Sequence, residues 1–289
     1  MFNLTEDIAR FLESHGFETE FQVCDCFDVI AVKVKDSYRR IMLHPIVADT
    51  MEKAEAEQAR WDRAMQTLDD RGMLVLTEDR WHSQRKMMES RLLAHLEIFD
   101  QVYARNCEIR KIDKATAAEF LEQNHSYGDA SCKYRYGMFL KRHTGHCLDG
   151  HDRLPAGTLV AVATFSNARK WQKGEKVIRS YEWTRYASLP NLRLSGGMGR
   201  MLKHFIEEVQ PDDIMSYADL EWSEGSVYQT LGFTLEGTKD PVMFRIGPGW
   251  KRFPIKPGMT EDGMDSEAGN LFYRNLGSKK YRLKLTDYE

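Results

Sequence analysis

The alternation of apolar and polar residues divides the amino-terminal third of the chain into helices and strands. Apolar residues at helical spacing between Leu4 and Leu12 predict a helix over residues 3–15. The alternating, β-branched segment 27–34 predicts a strand, and residues 39–45, which end at Pro45, predict its hairpin partner. The pattern then predicts a polar helix at about 48–70, a short buried strand at 72–78 and a helix at 81–97. We therefore predict a small α/β domain at residues 1–100.

A second series of elements begins at about residue 101. The pattern predicts strands at 102–113, 134–142, 158–166, 177–188, 213–220, 234–246 (a pair) and 279–285, and helices at 114–125, 198–209 and 223–233. Residues 189–197 are predicted to be a loop, and the tail from Gly247 is predicted to be rich in loops. The predicted fold class is α/β (α+β), with a mixed sheet flanked by helices in a second domain at 101–289.

A glycine-rich turn leads directly into the strongly amphipathic helix of this second domain. The turn and the first helical residues are Gly196, Gly197, Met198, Gly199 and Arg200. Such a helix start presents unpaired backbone N–H groups and the positive end of the helix dipole to an anion. Glycine allows close approach to the backbone, because it has no side chain. The alternative is a flexible turn that precedes a surface helix.

The segment after this helix resembles the acyl-CoA N-acyltransferase (GNAT) superfamily. It carries a strand, a loop and a helix with Tyr228, followed by Leu231-Gly232-Phe233, so that Tyr-x-x-Leu-Gly-Phe comes after the glycine turn in the order that the superfamily shows. The match covers about 177–246 and extends back to about 107. It implies that the glycine turn cradles the pyrophosphate of acetyl-CoA or another acyl-CoA. One register uses Gly197 and Gly199 as the motif glycines; the other uses Arg193 and Gly196.

Several segments also resemble a GNAT-like domain of phage proteins, including the Mom group that modifies DNA adenine. In those proteins the domain often follows a nuclease domain of the PD-(D/E)xK type, and residues 76–93 resemble the end of such a domain. A nuclease of this type holds Mg²⁺ with acidic residues on two strands. Asp28 is a candidate for the first acid, but the second strand, at 39–45, offers no acid-x-Lys. We therefore expect a degenerate scaffold or docking domain.

Four residues are candidates for catalysis in the second domain. By the resemblance, Tyr228 would protonate the departing thiolate, and Glu182 would accept the proton of an amine nucleophile directly or through water. Ser216 and Asp219 lie at the carboxyl end of a predicted strand, where open α/β sheets place ligands.

Each of these candidates has a structural alternative. Tyr228 could be a core residue, Glu182 could form a salt bridge with Arg179 or Arg185, and Asp219 could cap the next turn. Strand alternation predicts Glu182, Thr184 and Tyr186 on one face, and Tyr181, Trp183 and Arg185 on the other.

Composition and charge limit the class of protein. Hydrophobic residues make up 42% and charged residues 29%, which is typical of a globular protein. No apolar run approaches the roughly 18 residues of a membrane span, and the five cysteines have no disulfide spacing, so we predict a cytoplasmic protein with reduced thiols. The net charge is −3, but residues 133–146 and 245–256 carry basic residues without acids, which would suit a phosphate cofactor or DNA.

The loop at 143–152 collects potential metal ligands, namely His143, His146, Cys147, Asp149, His151 and Asp152. Their spacing matches no familiar zinc pattern, so we favour a solvated loop and predict no metal. Three functions remain open from the sequence. They are an acyl-CoA-dependent acyltransferase of phage or mobile-element type, a DNA-binding or DNA-modifying protein with a GNAT-like fold, and a non-catalytic interaction protein.

Overall fold

The computed structural model describes residues 3–68, 73–144, 154–223, 225–256, 258–259 and 270–288. Its contacts divide the chain into two compact units. Unit 1 consists of residues Met1–Met88, Ala218–Gly225 and Thr238–Lys279, and unit 2 consists of Glu89–Tyr217, Ser226–Gly237 and Lys280–Glu289. The predicted domains 1–100 and 101–289 are contiguous, whereas the compact units are not, because two later segments of the chain pack with the first 88 residues.

The described part of the chain forms seven α-helices and seventeen strands. The helices are α1 (Leu4–Ser14), α2 (Met51–Leu68), α3 (Glu78–Ser83), α4 (Arg85–His95), α5 (Lys114–Asn124), α6 (Gly197–Val209) and α7 (Ser226–Thr230). The first nine strands are β1 (Thr19–Cys24), β2 (Phe27–Val34), β3 (Ser37–His44), β4 (Leu74–Thr77), β5 (Asp100–Tyr103), β6 (Cys107–Lys111), β7 (Tyr134–Leu140), β8 (Leu159–Phe165) and β9 (Arg169–Lys173). The remaining strands are β10 (Lys176–Ser188), β11 (Leu192–Ser195), β12 (Asp213–Asp219), β13 (Thr234–Lys239), β14 (Met243–Gly247), β15 (Lys251–Pro254), β16 (Leu271–Arg274) and β17 (Ser278–Lys284). The predicted mixed α/β class is confirmed.

Unit 1 is built on a four-stranded sheet in the order β1-β2-β3-β4. The first three strands are antiparallel, and β4 joins β3 in parallel. Residues on β2, β3 and β4 pack against α2 in a hydrophobic cluster that contains Phe27, Met42, Trp61 and Val75. Leu276 belongs to the same cluster, although it lies far along the chain. A second sheet of unit 1, β15-β14-β16, lies within the tail that the sequence predicted to be rich in loops.

A network of buried charges also holds unit 1 together. Glu221 is 1% exposed and accepts two hydrogen bonds from the Arg252 guanidinium, at 3.0 and 2.8 Å. Arg252 also pairs with the buried carboxylate of Asp79 at 2.5 Å, and Arg80 pairs with Glu221 at 2.9 Å. The Tyr273 hydroxyl donates to Glu221 as well. Segments that are far apart in the sequence are therefore joined by ion pairs in the interior of the unit.

Unit 2 contains the large sheet, whose strand order is β13-β17-β12-β10-β8-β7-β6, with β9 paired to β10 outside this path. Helix α6 packs on one face, where Phe205 stacks on Phe165 with ring centroids 3.8 Å apart and planes 2° from parallel. Residues of α5 pack with Val162 and Ala187 of the sheet in a separate cluster. The sheet is thus mixed and flanked by helices, as predicted.

Two predicted elements of unit 2 differ in the structure. The strand predicted at 102–113 is divided into β5 and β6 by a 3-10 turn at Ala104–Asn106. The division occurs because β5 pairs in parallel with β11, whereas β6 pairs with β7 in the large sheet. The loop predicted at 189–197 accordingly contains β11. None of the helices in the described ranges is both long and apolar enough to cross a membrane.

Candidate functional site

The glycine turn lies at the start of α6, as the sequence predicted. Gly196 has a left-handed backbone (φ 75°) and is the N-cap residue, with no side chain to cap the helix. The N–H group of Arg200 makes the first intrahelical hydrogen bond, to the Gly196 carbonyl oxygen at 3.1 Å. The N–H groups of Gly197, Met198 and Gly199 precede this bond, so they point out of the helix end. This geometry suits a bound anion.

A cavity of about 380 Å³ adjoins the turn. Its lining residues are Tyr103, Ala104, Arg105, Ser195, Gly196 and Arg200. The Arg200 guanidinium donates to the carbonyl oxygens of Cys107, at 2.8 Å, and of Ala104, so it fixes the 3-10 turn opposite the helix start. Arg105 is exposed and lies over the ring of Tyr103 at 4.7 Å. Of these two cations, Arg105 is therefore the one with its charge available to a ligand.

Two of the glycines lie in close packing. A Cβ atom at Gly197 would lie 2.5 Å from the Tyr186 hydroxyl oxygen and 2.8 Å from Leu194 Cγ. A Cβ atom at Gly199 would lie 3.2 Å from Leu231, which follows α7. The first turn of α6 is thus pressed between β10 and the end of α7, which brings the anion-binding geometry next to the helix of Tyr228.

The strands β10 and β12 diverge beside this turn. They pair in parallel only from Ser180–Asp213 to Glu182–Met215. Beyond that point β10 continues against β8, and the register shifts between Trp183 and Arg185, which is a β-bulge. Ser216 on β12 donates its hydroxyl proton to the Trp183 carbonyl oxygen at 3.0 Å. We call the opening between these strands the strand fork.

Ser216 and Tyr228 meet at the strand fork. Their hydroxyl oxygens are 2.9 Å apart, and the Tyr228 hydroxyl lies 3.5 Å from the Tyr217 carbonyl oxygen. The Tyr228 ring stacks on Tyr281 at 5.2 Å and meets Trp183 edge to face at 6.4 Å. Burial raises the pKa of Tyr228, although the hydrogen bond with Ser216 lowers it in part. The phenol therefore stays protonated at neutral pH and can serve as a proton donor.

The single hydroxyl proton of Ser216 can serve only one of its two neighbours. The Trp183 carbonyl oxygen can only accept, so when Ser216 donates to it, Tyr228 donates to Ser216. When Ser216 donates instead to the Tyr228 oxygen, the phenolic proton can be donated to the Tyr217 carbonyl oxygen, 3.5 Å away, or to a ligand. A phenolate at Tyr228 would favour this second arrangement, because Ser216 would then stabilise its charge.

The bulge changes the side on which the β10 residues lie. Tyr186 meets Trp183 edge to face at 6.0 Å and lies against Gly197, so both residues are on the side of α6. Arg185 donates to the Gly128 carbonyl oxygen at 3.1 Å, in the loop after α5. The predicted alternation, which separated Trp183 from Tyr186, is wrong because the bulge inserts one residue into the strand.

Glu182 is partly exposed, one residue before the bulge. Its backbone is fixed by two hydrogen bonds with Ser166, each 2.9 Å long. Burial lowers the pKa of Arg185, and the carboxylate of Glu182 raises it, which indicates that the two charges lie near each other. Arg179, the other partner considered from the sequence, pairs with Asp212 at 3.5 Å.

Asp219 is engaged elsewhere, because it belongs to unit 1. Its carboxylate pairs with Arg80 at 3.3 Å and accepts the N–H of Glu221 at 3.0 Å. Its carbonyl oxygen accepts the N–H groups of Trp222 and Ser223. These contacts correspond to the capping role considered from the sequence. Ser216 and Tyr228 thus lie together, whereas Asp219 belongs to the network of Arg80 and Glu221. The catalytic role of Asp219 stays a prediction.

The amino-terminal acid predicted for a nuclease is an exposed residue. Asp28 accepts a hydrogen bond from the Thr5 hydroxyl at 2.5 Å. In the part of the chain that the structure describes, no group of three or more His, Cys, Asp or Glu residues is placed to hold a metal ion. The nuclease relationship stays a prediction. Of the loop ligands considered above, His143 is described, and the others lie outside the described residues.

Three further residues belong to the site although no sequence pattern singles them out as site residues. They are Arg105, Tyr186 and Trp183. No sequence pattern points to Arg105, since it lies in a segment that resembles a continuous strand. Tyr186 and Trp183 occur in the aromatic segment of β10, but only the bulge brings both to the side of α6.

No protein-family model matches this chain, and no curated protein matches it. Some solved structures are similar to it, and three of them follow. The NatC complex bound to Gag peptide and CoA has a TM-score of 0.34 and 14% identity, and the match covers 63% of this chain and 99% of that chain. The acetyltransferase (GNAT family) from Bacillus anthracis has a TM-score of 0.30 and 13% identity, with 62% of this chain and 95% of that chain covered. The KacTA–DNA complex has a TM-score of 0.29 and 15% identity, with 58% of this chain and 92% of that chain covered.

Proposed function

We propose that unit 2 is an acyl-CoA-dependent N-acyltransferase. The observation that carries the proposal is the position of the Ser216–Tyr228 hydroxyl pair at a strand fork, beside a helix start with open N–H groups. An anion site and a proton donor on neighbouring elements of one unit suit a donor with a phosphate-bearing end and a thiolate leaving group. The matched NatC complex contains CoA; for this chain, acetyl-CoA or another acyl-CoA is proposed from its own residues.

The proposed binding mode follows from the unpaired groups of the site. The N–H groups of Gly197, Met198 and Gly199, together with Arg105, would bind the pyrophosphate. Strands β10 and β12 stop pairing beyond Glu182–Met215, and a pantetheine arm would lie in the strand fork that this leaves. The arm would then lead from the glycine turn towards Tyr228.

The proposed chemistry uses two residues. A neutral amine attacks the thioester carbonyl carbon, the new C–N bond forms, and the C–S bond breaks. Tyr228 gives its proton to the departing thiolate, and Ser216 turns its own proton to the phenolate that remains. Glu182 accepts the proton that the amine nitrogen loses, directly or through water. Both protons are accounted for, and no other reactant is required.

The acceptor is an amine of unassigned identity. Membership of the phage or mobile-element group rests only on the sequence segments named above, and a cytoplasmic location stays a prediction. The DNA-associated alternative is favoured by one described feature, a basic two-stranded ribbon in unit 2. A chain that binds neither acyl-CoA nor DNA would support the third possibility, a non-catalytic interaction protein.

Titration calorimetry with acetyl-CoA tests the proposal. We expect saturable binding by the native chain and roughly tenfold weaker binding by Arg105→Gln, because one charge-assisted contact to phosphate is lost. Arg110→Gln is the control, because it removes the charge of another exposed arginine, on β6, away from the cavity lining. The proposal is overturned if the native chain shows no saturable binding, or if both variants weaken binding equally.

A further inference from the structure

A two-stranded ribbon extends from the large sheet of unit 2. Among the strands that the structure describes, β9 pairs only with β10, from Lys173–Lys176 to Arg169–Ser180. Strand β10 joins β12 and β8 only from Ser180 onward. Residues 169–179 therefore form an antiparallel arm, which we call the basic ribbon, and all five residues of β9 are exposed.

The charge of the basic ribbon differs from that of the whole chain. It contains five basic residues and one acid, which gives a charge of +4, whereas the chain carries −3. Arg179 is held by Asp212. Among the described residues the other four cations form no salt bridge; they are Arg169, Lys170, Lys173 and Lys176. Such a local excess attracts polyanions even when the protein is acidic overall.

The tip of the basic ribbon borders a cavity of about 1100 Å³. The cavity is lined by Lys173–Lys176 and by Lys284–Tyr288 near the carboxyl end of the chain. Lys284 adds another cation and lies 5.0 Å from the centre of the Tyr288 ring. Trp171 is 37% exposed and meets Tyr288 edge to face at 5.4 Å. Cations and aromatic rings thus share one surface.

Protection of a sheet edge accounts for only part of this surface. Lysines on an edge strand prevent pairing with other chains, which would explain Lys170 and Lys173 on β9. It would also explain Lys176, because β10 has an open edge there too, but it does not explain Lys284 on a different segment. It also leaves Trp171 unexplained, because an exposed aromatic residue on an edge promotes association rather than preventing it.

We propose that the basic ribbon docks double-stranded DNA through its phosphates. The major groove admits a two-stranded β-ribbon. The two strands lie about 4.8 Å apart, and five residues span about 17 Å, which is about half a turn of the duplex. The apolar residues exposed on the ribbon are Trp171 and Val177, too few to anchor it in a lipid bilayer. This inference does not depend on acyl transfer.

Anisotropy of a labelled duplex of about 20 base pairs, titrated between about 50 and 200 mM salt, tests the inference. Four phosphate contacts predict a log–log slope of about −3.6 for the native chain. The double variant Lys170→Gln with Lys173→Gln removes two contacts, so the slope should fall to about −1.8 and the affinity at about 0.1 M salt should fall roughly 60-fold.

The matched control removes the same net charge elsewhere in unit 2. Lys114→Gln with Lys203→Gln changes two exposed lysines on α5 and α6, and DNA binding should stay as in the native chain. Equal losses in the two double variants would overturn the inference, as would native protein without salt-dependent DNA binding. Binding to vesicles with anionic lipid, dependent on Lys170 and Lys173 and without DNA binding, would overturn it in favour of a membrane surface. Acetyl-CoA titration of the ribbon variant separates this test from that of the acyltransferase.

Discussion

Glu221→Gln should destabilise unit 1 although the side chain keeps its shape. The substitution removes one charge from a carboxylate that is 1% exposed and is bonded to Arg252 and Arg80. Each guanidinium keeps one other carboxylate, that of Asp79 or of Asp219. Two buried positive charges are then compensated by one negative charge fewer, which is unfavourable.

The magnitude follows from the acidity of Glu221. Burial alone would raise its pKa, but Arg252 and then Arg80 more than reverse this and lower the pKa to about 2, from the ordinary 4.5. A difference of this size corresponds to about 3 kcal/mol of free energy of unfolding at neutral pH. Breaking a buried ion pair costs about 3–5 kcal/mol in general, which agrees. We therefore expect a loss of about 3 kcal/mol.

The same acidity predicts how the loss depends on pH. The folded pKa of Glu221 is lowered, so its contribution is fully present above pH 4.5 and decreases as the pH falls towards 2. The native chain loses this contribution on acidification, whereas Glu221→Gln has none to lose. The difference between the two should shrink to about 1 kcal/mol at about pH 3.

Urea unfolding followed by tryptophan fluorescence measures this difference, since Trp61, Trp81, Trp222 and Trp250 belong to unit 1. Asp49→Asn serves as control, because Asp49 forms an exposed pair with Lys53 and should leave the urea midpoint unchanged. The reasoning is refuted if Glu221→Gln loses less than about 1 kcal/mol at pH 7, or if its loss at pH 3 equals that at pH 7.

Three further predictions concern unit 2. Tyr228→Phe should lower kcat by about 10²–10⁴ and leave acetyl-CoA affinity unchanged, as measured by thiol release and calorimetry; weaker binding would contradict a role as proton donor. Ser216→Ala should shift the alkaline limb of the pH–kcat profile to higher pH, because the hydrogen bond from Ser216 lowers the pKa of Tyr228. An alkaline limb at the same pH would exclude the hydroxyl pair as the titrating group. Gly197→Ala should lower the free energy of unfolding by about 1–3 kcal/mol, as measured by thermal unfolding, because its Cβ would lie 2.5 Å from the Tyr186 hydroxyl oxygen. Gly237→Ala is the control, since a Cβ atom there meets nothing within 4 Å.

The sequence predicted the elements whose signal is local. The helix at 198–209 follows from its apolar stripe, and the structure places α6 at Gly197–Val209. Residues 27–34 were predicted to be a strand from their β-branched alternation, and they form β2. The break at Ala104–Asn106 was not predictable in this way, because it depends on which sheet each flanking strand joins.

The candidate site shows the same limit. The glycine turn and Tyr228 were recognisable as motifs, since each is a short run of residues. Tyr186 reaches the side of α6 only through a bulge, and a bulge is defined by pairing with another strand. Glu221 and Arg252 are thirty-one positions apart, and Asp79 is much further from both, so no local pattern could reveal their network.

The discontinuity of unit 1 has a consequence for the order of events on the ribosome. Residues up to Met88 are synthesised first, but the unit is complete only when Lys279 has been added. At about 5–20 residues per second, the intervening chain of about 190 residues takes roughly 10–40 s to make. During that interval Asp79 lacks its partner Arg252, and β14 and β16 do not yet exist. Nascent unit 1 must therefore wait in an unfinished state, with surfaces that chaperones can bind, while much of unit 2 emerges and can already fold.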